Sequence, residues 1–339
     1  MIEFGSLDIR PYQLLCCICR AGAEAGEKYY FAERLDEIAA AVRAQPSLPL
    51  TLRCTVNSAY SYQNPGRAYD TPEGDLFNDK RDLDILHLLG LAPGDTRPAW
   101  DLFNGVFAVI STCTGICGYA EVTSETWQGC RLARSGNYER GHARGAEAII
   151  PLREASEKAR VKDASAAAMY EARALRVRPH HLMCMTCFHG GRDALEPIAE
   201  DNLFEAIDAC RRDPQMPITL VSGPCDICPP CSDYDAQRNW CAGRIGMALR
   251  DEKKDLDLLQ LLGLKYGDTL PARELLQRLY DMVCSTRQIC GYGDGVVRST
   301  EWSICRGPEG SPEYVKGRAA GLGVNGVAVD RDEGTSDRS

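Results

Sequence analysis

"DLDILHLLGLAPGDT" runs from Asp82 to Thr96, and "DLDLLQLLGLKYGDT" runs from Asp255 to Thr269. Working outward from this pair, the two copies stay in step. "IRPYQLLCCIC" from Ile9 matches "VRPHHLMCMTC" from Val177, which pairs Pro11 with Pro179, Cys16 with Cys184 and Cys19 with Cys187. "LPLTL" from Leu48 matches "MPITL" from Met216. "ICGY" recurs at Ile116 and Ile289, followed by "SETWQGC" ending at Cys130 and "STEWSIC" ending at Cys305. "YERGHARG" from Tyr138 has its partner in "YVKGRAAG" from Tyr314. Repetition on this scale reads as one unit written twice. The expected organisation is a first repeat over 1–150, a helical linker over 151–175 rich in Ala, Glu, Lys and Arg, a second repeat over 176–320, and a flexible Gly-, Asp- and Ser-rich tail over 321–339.

Each repeat reads in the same order. A Cys-bearing loop comes first, then a helix, "YYFAERLDEIAAAVRA" or "LFEAIDACRRD", with apolar residues at helical spacing. A short strand follows, "LPLTLRC" or "MPITLVS", with proline at its edge. Two helices come next: "DLDILHLLG", stopped by glycine, and "AWDLFNGVFAVIST" or "ARELLQRLYDMVCS". A Gly-rich, Cys-bearing loop closes the unit. The fold class is α+β, predominantly helical, with one or two short strands per repeat.

The chain has 339 residues and a net charge of −9, which argues against nucleic-acid binding by counterion release. No apolar run is long enough to span a bilayer. The opening residues lack a basic n-region and a cleavage-type end, so a cytoplasmic location is expected. In that reducing compartment seventeen cysteines need a reason other than disulfides, and an odd number cannot all pair. Metal or cluster ligation is the competing explanation.

Four cysteines recur at matched places: Cys16, Cys19, Cys117 and Cys130 in the first repeat, Cys184, Cys187, Cys290 and Cys305 in the second. Each set is a C-x2-C plus two later cysteines, and four thiolates suit a tetrahedral zinc or a four-iron cluster. The C-x2-C is expected to offer two sulfurs from a tight turn. A further stretch, "GPCDICPPCSDYDAQRNWC" from Gly223 to Cys241, has no equivalent in the first repeat, where the loop is about five residues shorter. Its Cys225, Cys228 and Cys231 lie at three-residue intervals, a spacing that wraps a cuboidal cluster, with a distant cysteine, Cys241 or Cys184, as the remaining ligand. If Cys225 completes the dense set, all three sets are full. His180 and His181 stand beside Cys184 and could ligate or donate hydrogen bonds to a cluster. In the first repeat Tyr12 and Gln13 take their places. Asn57, Tyr60 and Gln63 stand where the dense cysteines would be, and with Tyr62, Arg67 and Tyr69 they could line a pocket. Cys17, Cys54, Cys113 and Cys210 have no matched partner and read as packing residues.

"RPHHLMC", "GPCDICPPC" and "NWC" resemble the motifs of a family of small bacterial and archaeal proteins of unknown function described as iron–sulfur binding. The match covers about 176–265. It implies ligand roles for Cys184, Cys228, Cys231 and Cys241; the first repeat keeps only Arg10, Pro11 and Cys16 of the pattern. The expectation is therefore a protein with two or three [4Fe-4S] clusters that passes electrons to or from a redox partner protein. The alternatives are an iron–sulfur enzyme whose open-site cluster acts on a small molecule, and a zinc-stabilised scaffold.

Overall fold

The computed structural model describes residues 5–56, 60–68, 70–150, 153–236, 238–241, 249–299 and 302–327. The chain is α+β with about 48% helix. It divides into two compact units, Met1–Leu152 and Arg153–Ser339, each with its own apolar core.

In the first unit β1 (Leu7–Ile9) leads into α1 (Pro11–Ala21) and α2 (Ala32–Ala44). Then come β2 (Pro49–Leu52), α3 (Asp75–Leu89), β3 (Thr96–Pro98), α4 (Ala99–Val109) and α5 (Asn137–Ala143). The sheet order is β1-β2-β3. β1 and β2 are parallel, with Leu7 opposite Leu50, and β3 is antiparallel to β2, with Pro98 opposite Pro49. β2 is the central strand and fully buried. Pro49 is tolerated there because the first strand residue need not donate to the ladder.

The second unit opens with α6 (Ala155–Glu171), followed by β4 (Leu175–Val177), α7 (Pro179–Gly190) and α8 (Leu203–Arg212). β5 (Pro217–Leu220), the short hairpin β6 (Tyr234–Asp235) and β7 (Trp240–Cys241), and α9 (Leu249–Leu262) come next. β8 (Thr269–Pro271), α10 (Ala272–Met282) and α11 (Pro312–Ala319) complete it. Its three-stranded sheet, β4-β5-β8, has the same pattern, with Leu175 opposite Ile218 in parallel and Pro217 opposite Pro271 in antiparallel pairing. Both sheets carry a cross-strand threonine pair, Thr51–Thr96 and Thr219–Thr269, each with its hydroxyl oxygens 2.8 Å apart. The sequence reading finds too few strands because the outer ones are three residues long, too short for alternation to register.

Three expectations change. The C-x2-C cysteines lie in helices α1 and α7, not in a loop or tight turn. The Arg-Pro pair explains why: proline is preorganised for the first helical position, and a buried aspartate from the next long helix accepts the exposed N–H groups there. Asp82 accepts from the Tyr12 N–H at 3.0 Å and from Arg10 Nε at 2.6 Å. Asp255 does the same for the His180 N–H and Arg178 Nε, both at 2.9 Å. An anion at a helix N-terminus is favourable. Second, the expected linker helix is docked on the second unit. Lys162 Nζ sits 2.6 Å from the buried Glu205 carboxylate, and Met169 is buried in the core. Third, the start of the expected tail packs: Leu322 and Val324 are buried, and Arg211 Nε donates to the Leu322 carbonyl at 2.6 Å. Residues 328–339 lie outside the described residues.

The C-x2-C helices are seated by close crossings. A Cβ at Gly141 would run into the Ile18 carbonyl, and one at Gly317 into the Thr186 carbonyl. Beside these glycines, the Tyr138 hydroxyl donates to the Ile110 carbonyl at 2.6 Å and the Tyr314 hydroxyl to the Val283 carbonyl at 3.0 Å. Among the described residues no helix is long and apolar enough to cross a membrane.

Candidate metal centres

On α1 the three-residue spacing puts Cys16 and Cys19 on one helical face. The segment after α4 turns back to bring Cys117, and the Cys130 N–H donates to the Cys117 carbonyl at 2.7 Å. Cys16, Cys19, Cys117 and Cys130 all border one cavity of about 50 Å³. A water needs only about 10–15 Å³ by that measure, so the space admits a larger group. The Tyr29 hydroxyl lies 3.4 Å from Cys19 Sγ and donates to the Cys19 carbonyl at 3.0 Å. Cys113, expected to be a packing residue, also borders this cavity, with its thiol 3.4 Å from the Ala133 carbonyl. The repeat comparison hides it because Thr286 stands at the matched place.

The cavity wall also holds Arg81, 1% exposed. One amino group donates to Thr71 Oγ1 at 3.1 Å and Asn78 Oδ1 at 2.6 Å, and the guanidinium lies 3.8 Å from the Tyr12 ring centre. Its Nε has no hydrogen-bond partner, and among the described residues no carboxylate forms an ion pair with it. A buried cation without a counter-charge is costly, unless a nearby site carries negative charge. Against the cost of burial, Cys16 and Cys117 are the largest influences holding Arg81 charged, with smaller ones from Tyr12 and Asp82. Burial pushes Cys16 up strongly, Cys19 to about 12 and Cys130 to about 11. Cys117 alone is lowered, first by a hydrogen bond from Cys113 and then by Arg81.

The second unit repeats the device with a lysine. Cys184 and Cys187 share one face of α7, and burial, then Cys187 and Cys305, push the Cys184 thiol up. Lys254, on α9 and 3% exposed, places Nζ 3.4 Å from Cys305 Sγ and 3.3 Å from Asp251 Oδ1. A hydrogen bond from Cys290, and then Lys254 and Arg250, bring Cys305 down to about 5 despite its burial. Among the thiols, Cys187 and Cys305 act most strongly on Cys184, with smaller influences from Lys254 and Asp251. Arg81 and Lys254 were missed at the sequence level, although each directly precedes the matched aspartate in "KRDLD" and "KKDLD".

The dense loop is a series of tight turns. The Cys228 N–H donates to the Cys225 carbonyl at 3.0 Å, Cys231 to Cys228 at 2.8 Å, and Tyr234 to Cys231 at 3.1 Å. Arg153 holds the outer side by donating to the Pro229 carbonyl at 2.9 Å. His181, from α7, reaches this loop: Nδ1 is 3.1 Å from Cys225 Sγ, which is 3.8 Å from Cys228 Sγ. The three ligand atoms all lie within 4.8 Å of one another. Cys231 and Cys241 sit nearby, pushed up by burial to about 11 and about 12, with Cys228 acting on both. The paired histidines divide their work. His180 is buried with Nδ1 2.7 Å from Asp255 Oδ1 and belongs to the arginine clamp, while its ring stacks edge-on against His181 at 4.6 Å.

Tyr60 and Gln63 do not border the first unit's cavity. Gln63 accepts from Arg53 at 3.0 Å, and Tyr60 packs against the exposed Tyr62 at 6.0 Å between ring centres. Gln63 also lies against Gly94, where a Cβ would meet its side-chain amide. Asn57 and Tyr69 lie outside the described residues. Comparison with family models, with curated proteins and with solved structures gives no match, so the site assignments stand on this chain's own residues.

Proposed function

We propose that this chain is an iron–sulfur protein in which Cys16, Cys19, Cys117 and Cys130 hold one [4Fe-4S] cluster, and Cys184, Cys187, Cys290 and Cys305 hold another. Its role on this reading is electron transfer to or from a partner protein. We also infer that the two units are copies of one ancestral unit, supported by their matching sheet registers, Arg–Asp clamps, tyrosine–carbonyl bonds and glycine crossings. The observation that carries the cluster reading is the buried Arg81: a guanidinium that makes no carboxylate ion pair among the described residues, on the wall of a cavity that four thiols border and that is larger than one ion needs. A cluster with four thiolates carries net negative charge and would supply the missing counter-charge. When bound, such a cluster gains and loses single electrons at a potential set by charge, hydrogen bonding and exposure.

The chain's own residues would do the rest. The helical C-x2-C fixes two sulfurs in advance. Arg81 and Lys254 are buried cations, 1% and 3% exposed, that would stabilise negative charge where water screens little. The Tyr29 hydroxyl, 3.4 Å from Cys19 Sγ, could turn its proton from the Cys19 carbonyl to a thiolate ligand, and hydrogen bonds to sulfur ligands tune potential. Protein purified without oxygen is expected to carry about eight irons and eight acid-labile sulfides per chain for two clusters, with reversible one-electron reduction in the absence of any substrate. Protein with zinc and no sulfide would overturn the reading.

A further inference from the structure

The 225–231 loop differs from the matched sets in scale. A tetrahedral zinc with bonds of about 2.3 Å to sulfur and about 2.0 Å to nitrogen has ligand atoms roughly 3.5–3.8 Å apart. The Cys225–Cys228 sulfur separation of 3.8 Å matches that spacing, and His181 Nδ1, hydrogen-bonded to Cys225 Sγ at 3.1 Å, would open by a few tenths of an ångström to admit the ion. On a cuboidal cluster each thiolate binds its own iron, so the sulfurs stand further apart by an iron–iron edge and the outward reach of two bonds. Among the described residues, no other three ligand atoms of His, Cys, Asp or Glu come within 4.8 Å of one another.

We propose that this loop is a single-ion site of zinc type, with His181, Cys225 and Cys228 as the ligands already gathered and Cys231, one turn further along and outside that close group, moving in as the fourth, and not the seat of a third cluster. Both partner segments are fixed before any ion arrives. α7 is pinned at its start by the Asp255 clamp, three residues before the ligand series begins with His181 and the cysteine helix continues. The loop is held by successive turns, by Arg153, and by Asn202, whose side-chain amide donates to the Asp226 carbonyl at 3.0 Å. A ligating histidine is usually oriented by a carboxylate on its far side, and Asp201 lies within electrostatic reach of His181. Zinc binding would displace the protons of the buried thiols. It would also lock the helix that carries Cys184 and Cys187 to the loop. The first unit cannot build this site, since Gln13 replaces His181 and its side chain accepts from the Arg10 N–H at 2.9 Å.

The test uses the full chain, purified without oxygen, as wild type, His181→Ala and His181→Cys. Zinc, iron and sulfide are measured after dialysis against a competing chelator, and cobalt(II) is then offered as a spectroscopic probe. We expect about one zinc per chain in the wild type and a drop of at least tenfold in the alanine variant, with iron and sulfide unchanged. The cysteine variant should regain zinc, and its cobalt spectrum should shift towards an all-thiolate site. Zinc that survives His181→Ala, failure of the wild type to take up either ion, or loss of iron and sulfide together on His181→Ala would each overturn the proposal. If circular dichroism shows that the alanine variant does not fold, the cysteine variant decides: an unshifted cobalt spectrum excludes His181 as a ligand. Sulfide content independently reports on the two clusters, so failure of that reading is read separately.

Discussion

The two units share a clamp but load it differently. In the first, Arg10 divides itself between Asp82 and Asp70, and burial pushes Asp82 up to about 6. In the second, Arg178 and His180 both rely on Asp255, and against the cost of burial they hold its carboxyl below the usual range. The same fold position is therefore redundant in one unit and critical in the other. The parts that match seat the C-x2-C helix. The parts that differ set charge and add the 225–231 loop, for which a single-ion site is proposed.

The largest expected effect breaks this comparison at the clamp. Asp255→Ala strands a buried arginine and histidine, and should destabilise the second unit by about 3–5 kcal/mol. Asp82→Ala should cost the first unit less, because Arg10 keeps Asp70. Hydrogen exchange read separately on α1 and α7 in denaturant distinguishes the units, and equal losses would contradict the account. The pH dependence should have opposite sign. Asp255 is depressed in the folded state, so its contribution is present above the unfolded value of about 4 and fades as pH falls. Asp82 is raised, so the folded state holds its proton more tightly, and stability falls as pH rises from about 4 to 6. Asp82→Asn should remove that decline.

Next in size are the glycine crossings. Gly141→Ala and Gly317→Ala each force a Cβ against a backbone carbonyl and should cost about 1–3 kcal/mol or more in their own unit. Gly90→Ala is the converse case: its Cβ would meet nothing, and its cost would come from the positive φ that the crossing glycines lack. A smaller contrast concerns the matched cysteines. In apo protein Cys305, held near 5, should alkylate readily at neutral pH, while Cys130, near 11, should react only in alkali. Lys254→Met should slow Cys305 at neutral pH by removing the adjacent cation, which mass spectrometry of the labelled peptides can follow. Least of all, Cys284→Ser should leave zinc, iron and stability unchanged, within about 0.5 kcal/mol, since Cys284 is exposed and has no role in any set.

Much of this was legible because the chain carries its own comparison. The long helices, the central strands and the two four-cysteine sets follow from matched apolar spacing and matched thiols. What escaped was whatever depends on three-dimensional closure. The C-x2-C stretch reads as a loop because the aspartate that caps its helix lies more than seventy residues away. Arg81 and Lys254 look like ordinary charged residues on amphipathic helices, and only burial reveals them. His181 was separated from Cys225 by a long stretch of chain, so no local spacing links them. Cys113 lacks a matched partner, so the comparison that found its neighbours passed over it.

The division of the chain at Leu152 has a consequence for how the protein is made. Every member of the first cysteine set lies upstream of that boundary, and every member of the second set and of the single-ion loop lies downstream. During synthesis the first unit can close around its four sulfurs while the ribosome is still translating the second, since domains fold as units from the N-terminal side. On the proposed assignments, the cofactors of the two units could then be delivered in sequence, without the cysteines of one half competing for the cargo of the other. Swapping the order of the halves in the gene should leave each centre intact and reverse the order in which they are filled.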